Sequence, residues 1–252
     1  ISFVAVIPGL YFRKHYFVVM FPALAFLSGI WVDFLMKWCG KKTNRVFAFI
    51  PPLIFLMCAV SSMYVEREYF FTGDPARLSE EIYGENPFAA SIEVGEYIKA
   101  NSKEGDQIFV FGSEPQIYFY SGRRSVSPLI FTYPLVENNA FAKELQGELI
   151  NALEKNIPRY FVYVNVPFSW SAHPEYDRKI FSWVSQFLEK HFTLEGYVDL
   201  IGDGKTEFSW GEKNIVSPPK SENSILVFKK KEPEIGEVLS LDPLGTRKRT
   251  KY

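Results

Sequence analysis

The sequence contains few cysteines and almost no net charge, and each of these two properties argues against a class of protein. The 252 residues include two cysteines, Cys39 and Cys58, so the part after Tyr64 is not built around disulfides. The 28 basic and 29 acidic residues give a net charge of −1. This balance points neither to an acidic substrate nor to nucleic acid, and we expect no nucleic-acid partner.

The motifs of several enzyme classes are also absent. The three histidines lack metal-ligand spacing with cysteine, and neither Gly-x-Gly-x-x-Gly nor Gly-x-Ser-x-Gly occurs. The stretch Gly202–Thr206 resembles the end of a phosphate-binding P-loop, but Asp199 stands where that motif needs its first glycine. We interpret it instead as a hairpin turn at Asp203-Gly204.

Two long apolar runs are present. Tyr16–Met36 contains one charged residue, Asp33, and Val46–Tyr64 contains none. As helices these runs would be roughly 32 and 28 Å long, close to the hydrocarbon thickness of a bilayer. We therefore predict a transmembrane hairpin with spans at about 16–36 and 46–64. Asp33 precedes Lys37 by four residues, which favours an ion pair at the membrane boundary over a functional intramembrane carboxylate.

The basic residues around these spans predict an orientation. Lys37–Arg45 contains four basic residues and no acid, whereas two basic residues precede the first span and one follows the second. Basic loops favour the cytoplasm, so we expect everything after Tyr64 to be extracytoplasmic. We interpret the apolar start, Ile1–Leu10, as the end of an earlier membrane helix, with a trimmed signal peptide as the alternative.

After a connector at 65–85, short apolar runs alternate with amphipathic patterns. The predicted strands are 107–111, 125–131, 159–164, 193–201 and 224–228, and the predicted helices are 87–101, 114–121, 137–156 and 174–191. This alternation predicts transmembrane helices followed by a soluble α/β domain at 86–230, with a mostly parallel sheet and helices on both faces. The polar residues 231–252 predict a disordered tail.

Three separated stretches agree in order and spacing with a known family. They are Arg13–Phe17, Tyr83–Phe88 and Phe111–Arg124. Through them the chain, from about Ile1 to about Val164, resembles bacterial membrane glycosyltransferases of the GT-C superfold, in the branch with protein O-mannosyltransferase-like and RgtA/B/C/D-like domains. The resemblance implies transfer of a sugar from a polyprenyl-phosphate donor to an acceptor outside the bacterial plasma membrane. The soluble domain would then be accessory or would position the acceptor.

The resemblance also implies that the catalytic residues and this chain belong to different parts of a longer protein. The catalytic acids of such enzymes lie on the first external loop, so we assign no catalytic residue and no cofactor to this chain. A divalent metal ion is compatible with the full-length enzyme. The expected partners are the bilayer, the polyprenyl-phosphate-linked sugar and the preceding membrane helices. The alternative is a non-enzymatic, membrane-anchored α/β domain for binding or envelope assembly.

Arg13, Lys14 and His15 form the first candidate site. They precede the first span, and a cluster of cationic donors suits a lipid phosphate. The alternative is an ordinary interfacial anchor, with Tyr11 and Tyr16 as an aromatic belt.

Glu114, Gln116, Tyr118 and Arg123 form the second candidate site. Carboxylate, amide, aromatic and guanidinium groups suit the faces and hydroxyls of a sugar or acceptor. The alternative is structural: the tyrosine belongs to the core, Glu114 serves a helix N-terminus, and the arginine pairs with nearby acids.

Overall fold

The structure is a computed structural model and describes residues 3–7, 14–42, 45–84, 86–137, 139–170, 179–202, 205–211, 215 and 217–232. The chain divides into two compact units, Ile1–Gly73 and Asp74–Tyr252. The predicted disordered tail falls almost entirely on 233–252, outside the described residues. The predicted end of an earlier membrane helix is described only at 3–7, which contain one 3₁₀ turn, Val4–Val6.

The first unit contains two long helices. A 3₁₀ segment, Lys14–Met20, leads into α1 (Phe21–Lys42), and another, Arg45–Phe49, leads into α2 (Ile50–Val65). Together they give helical stretches of 27 and 21 residues, His15–Lys41 and Arg45–Val65. By length and composition, both could cross a membrane.

The apolar side chains of these helices are not covered by protein. None of the most apolar window of either stretch is buried, and Phe26 and Phe49, for example, are 71% and 68% exposed. Water is a poor solvent for a helix that is apolar all round. Lys37 Nζ lies 2.7 Å from Asp33 Oδ2, so the predicted ion pair is confirmed.

The second unit begins with α3 (Pro75–Tyr83) and α4 (Phe88–Ala100) and contains a six-stranded sheet of order β2-β1-β3-β6-β4-β5. The strands are β1 (Gln107–Phe111), β2 (Arg124–Ser125), β3 (Tyr160–Asn165), β4 (Phe192–Gly202), β5 (Lys205–Trp210) and β6 (Ser224–Lys230). The other helices are α5 (Gln116–Ser121), α6 (Ala142–Lys155) and α7 (Lys179–His191).

The sheet is mixed, so the prediction of a mostly parallel sheet is wrong. β1 pairs in parallel with β2 and β3, but β6 lies antiparallel between β3 and β4, and β5 is antiparallel to β4. A parallel pair needs a crossover of a dozen or more residues. Only residues 203–204 separate β4 from β5, which therefore form the hairpin that the sequence predicted at this turn.

Helices cover both faces of the sheet, as predicted. Alternate residues of β1 enter opposite cores: Ile108 and Val110 pack with α4 and α5, whereas Phe109 and Phe111 pack with α6 and α7. The chain thus leaves β1 toward one face, through α5, and leaves β3 toward the other face, through α7.

This divergence creates a topological switch point between β1 and β3, at the edge where both strands end. We call this side of the sheet the carboxyl edge and the opposite side the amino edge. In open α/β sheets, ligands bind in the crevice at such a point.

Candidate functional site at the carboxyl edge

Glu114 lies at the switch point, three residues after the end of β1. Its side chain is 4% exposed, and its Oε1 accepts a 2.5 Å hydrogen bond from Ser169 Oγ. Its Oε2 is buried and has no hydrogen-bond partner among the described residues. A Cβ atom at Gly112 would collide with Oε2 and with the Val164 side chain, so the glycine lets the carboxylate lie directly against the strand ends. One carboxylate oxygen is therefore enclosed by the fold without a described hydrogen-bond partner.

Ser169 and Ser113 hold the segment after β3 against the end of β1. Ser113 N donates to Ser169 Oγ at 3.0 Å, and Ser113 Oγ donates to the Ser169 carbonyl at 2.5 Å. The indole Nε1 of Trp170 donates to the Val164 carbonyl at 2.9 Å. These hydrogen bonds hold the 3₁₀ turn Pro167–Trp170 against the carboxyl ends of the two strands.

Burial sets the electrostatics of this crevice. It raises the pKa of Glu114 from the ordinary 4.5 to about 7, against the opposing effect of the hydrogen bond from Ser169. A carboxyl group with this pKa is present in both protonation states near neutral pH. It can accept a hydrogen bond from a ligand hydroxyl, donate one to a ligand oxygen, or exchange a proton.

Gln116 and Tyr118 make contacts within the fold. Gln116 Nε2 donates to Ser91 Oγ at 3.1 Å and so ties α5 to α4. Tyr118 Oη accepts a 2.8 Å hydrogen bond from Val110 N, on the side of β1 where the two-residue β2 has already ended. Burial raises the pKa of Tyr118 to about 12. Tyr118 packs against the core, as the structural alternative expected, and the contact of Gln116 also lies within the fold.

Arg123 lies away from Glu114, at the amino edge. The residue is 9% exposed, and its guanidinium donates to the carbonyls of Lys99 and Ser102, at 3.2 and 2.9 Å, and to Ser102 Oγ at 2.9 Å. These acceptors lie in the last turn of α4 and just beyond it, where a cation is favoured. Arg123 thus closes the end of a helix through carbonyl groups, not through the acids that the alternative expected. Glu114 likewise makes no side-chain cap of α5, whose N-cap is Pro115.

The first candidate site lies mostly outside the described residues. Arg13 and the side chain of Lys14 are not described. His15 is exposed, and its ring meets that of Tyr16 edge-on at 4.6 Å. The lipid-phosphate role of these three residues stays a prediction.

The sequence reasoning missed Ser113 and Ser169 as partners of Glu114. Ser169 lies 55 residues beyond Glu114, so no local motif joins them. The available signal was positional: both serines closely follow strands that were predicted to be buried and parallel, and such strand ends meet at one edge.

Among the residues that the structure describes, no group of three or more His, Cys, Asp or Glu side chains is arranged to hold a metal ion. Comparison with known proteins gives no assignment either: no protein-family model, curated protein or solved structure matches the chain.

Proposed function

We propose that the chain is the C-terminal part of an integral-membrane glycosyltransferase. The enzyme would transfer a sugar from a polyprenyl-phosphate donor to an extracytoplasmic acceptor, with the α/β unit in an accessory or acceptor-positioning role. The observation that carries this proposal is the pair of uncovered apolar helices followed directly in the chain by a folded α/β unit. That order is the one implied by the resemblance of Arg13–Phe17, Tyr83–Phe88 and Phe111–Arg124 to the GT-C family.

Within this proposal, Glu114 contacts the acceptor. Among the four residues proposed for sugar or acceptor binding, Glu114 lies at the switch point. Its Oε2 is a buried oxygen without a described hydrogen-bond partner. Oε2 is enclosed, so the surrounding side chains would have to open; an acceptor hydroxyl that then donates to Oε2 would satisfy that oxygen, and an unsatisfied buried acceptor costs about 1–3 kcal/mol. Gln116, Tyr118 and Arg123 serve the fold in this scheme. The transfer chemistry belongs to the external loop of the N-terminal part.

A sugar-transfer assay tests the overall function. Membrane vesicles containing either residues 1–252 or the whole natural protein would receive radiolabelled polyprenyl-phosphate sugar and cell-envelope acceptor. We expect incorporation by the whole protein and none by residues 1–252. Turnover by residues 1–252 would overturn the assignment of the chemistry to another part. Failure of the whole protein with every polyprenyl-phosphate sugar would favour the non-enzymatic alternative.

The role of Glu114 has its own test in the active whole protein. Glu114→Gln keeps the shape but changes the hydrogen bonding of Oε2, so we expect a higher KM for the acceptor and a nearly unchanged kcat. Glu104→Gln, at an exposed glutamate of the amino edge, is the matched control. An acceptor KM equal in the two variants would remove Glu114 from the acceptor site.

A further inference from the structure

The exposed large apolar side chains of the α/β unit are unevenly distributed. Between positions 86 and 232 they are Phe88, Phe119, Ile130, Phe131, Phe141, Phe168, Ile201 and Phe208. Phe141 and Phe168 are 67% and 61% exposed, which is extreme for phenylalanine in a folded domain. Single exposed apolar residues need no explanation, but a group on one side of a domain does.

The topology places most of these residues at the carboxyl edge. Phe168 follows the end of β3. Phe131 precedes Thr132, whose backbone N–H donates to the Gly112 carbonyl just beyond β1. Ile130 is next to Phe131 in the chain and belongs to the same loop. Ile201 stands at the end of β4, which runs in the same direction as β3 because β6 is antiparallel to both.

Two helix starts add to the same edge. Phe141 immediately precedes α6, and α6 ends at Lys155, close to the start of β3, so its first turn lies at the carboxyl edge. Phe88 is the first residue of α4, whose first turn meets α5 through the Ser91–Gln116 hydrogen bond. We call Phe88, Ile130, Phe131, Phe141, Phe168 and Ile201 the carboxyl-edge apolar surface.

The amino edge has the opposite character. Its loops and strand ends present exposed charged side chains, among them Lys103, Glu104, Lys155, Lys231 and Glu232. Phe119, which is 80% exposed, lies in α5, and Phe208 lies within β5, so neither belongs to the carboxyl-edge apolar surface. Six of the eight exposed large apolar side chains between positions 86 and 232 therefore lie at the carboxyl edge.

We propose that the carboxyl-edge apolar surface rests in the interfacial layer of the lipid bilayer. The chain arrives from the apolar helices through α3 and enters the sheet-bearing part at Phe88, which is itself a member of this surface. Four of the six members are phenylalanine, which with Trp and Leu forms the apolar face of segments that lie in the membrane interface. The inference rests on the membrane residence contained in the proposed function and does not depend on the transfer reaction.

The consequence for the site is a restriction on how a ligand approaches it. Glu114 lies at the same edge, so a ligand that reaches it would arrive along the lipid surface. A molecule anchored by a lipid tail, with a polar hydroxyl-bearing head, fits that geometry.

Lipid-quenching of site-specific fluorophores tests the proposal. Residues 1–252, carrying Cys39→Ser and Cys58→Ser, would be reconstituted without other protein into phosphatidylcholine–phosphatidylglycerol vesicles. A nitrobenzoxadiazole label would be attached at Phe141→Cys or Phe168→Cys, and at Lys103→Cys as the amino-edge control. Circular dichroism confirms that each variant is folded.

We expect labels at positions 141 and 168 to lose most of their emission when the vesicles contain phosphatidylcholine with a shallow doxyl group, and the label at 103 to keep its emission. A fourth label, at Phe55→Cys in the middle of the stretch 45–65, reports on membrane residence itself and is measured with a deep doxyl group, because a shallow group lies too far from the bilayer centre. Quenching at 55 with emission at 141 and 168 as high as at 103 would overturn the inference alone. Absence of quenching at 55 would overturn membrane residence, and the inference with it.

Discussion

The buried carboxyl group of Glu114 makes the stability of the α/β unit depend on pH in a direction that can be stated in advance. Its pKa is about 7 in the folded protein against an ordinary 4.5, so only the folded state holds this proton between those values. The free energy of unfolding therefore falls as pH rises from about 4.5 through 7 and then levels off. The loss from this group is about 3 kcal/mol, since a tenfold change in a proton equilibrium is worth ~1.4 kcal/mol.

Glu114→Gln removes this contribution because glutamine imitates the protonated carboxyl group at every pH. We expect the variant to be more stable than the natural chain by about 3 kcal/mol near pH ~8, and to match it within ~1 kcal/mol near pH ~5. Urea unfolding of the full chain in detergent micelles, followed by tryptophan emission, measures both values. Trp170 is adjacent to Ser169 and reports on the crevice.

Two further variants decide whether the reasoning holds. Glu104→Gln changes an exposed carboxylate and should leave the pH dependence intact. Ser169→Ala removes the hydroxyl that favours the ionised form of Glu114, so the midpoint of the stability loss should move to higher pH. Identical pH profiles in the natural chain and in Glu114→Gln would refute the assignment of this slope to Glu114.

Two other substitutions test packing by the same unfolding measurement. Arg123→Ala should cost about 2–4 kcal/mol, because it leaves the carbonyls beyond α4 without their donors, whereas a change at the exposed Arg124 should cost less than ~0.5 kcal/mol. Gly95→Ala would bring a Cβ within 2.5 Å of Tyr120 Cβ and should cost about 1–3 kcal/mol. Gly147→Ala, in a helix with open space at that position, should instead stabilise by about 0.5–1 kcal/mol. Equal effects at Gly95 and Gly147 would contradict the close approach of α4 and α5.

Local pattern predicted the elements well where one residue period dominates. The run 107–111 forms a strand with those bounds, and the apolar stretches 16–36 and 46–64 fall within helices. Elsewhere contacts from distant residues decided the outcome. Of the predicted strand 125–131, only Ser125 lies in a strand, the two-residue β2, because Tyr118 Oη accepts from the next backbone N–H on that side of β1.

The sequence pattern could not predict the direction of each strand or which strands pair with each other. A short apolar run predicts a strand, but it carries no sign of whether its neighbour is parallel, so the position of β6 between β3 and β4 stayed hidden. The same limit applies to the candidate site. Glu114 was chosen from its residue type. Its bond to Ser169 is a contact made across 55 residues, and its unpartnered oxygen and raised pKa arise from burial in the folded unit.

The position of β6 also has a consequence for how the protein is made. Its seven residues are the last strand to leave the ribosome among those described, yet they supply the backbone partners of both β3 and β4. Until β6 has been synthesised, β3 and β4 each expose an unpaired edge, and such an edge can pair with other chains. The nascent chain can assemble β1 to β3 and the β4–β5 hairpin early, but the two halves join only when translation has passed Lys230. A chain that stops before Ser224 would therefore be an aggregation hazard and not a shortened domain.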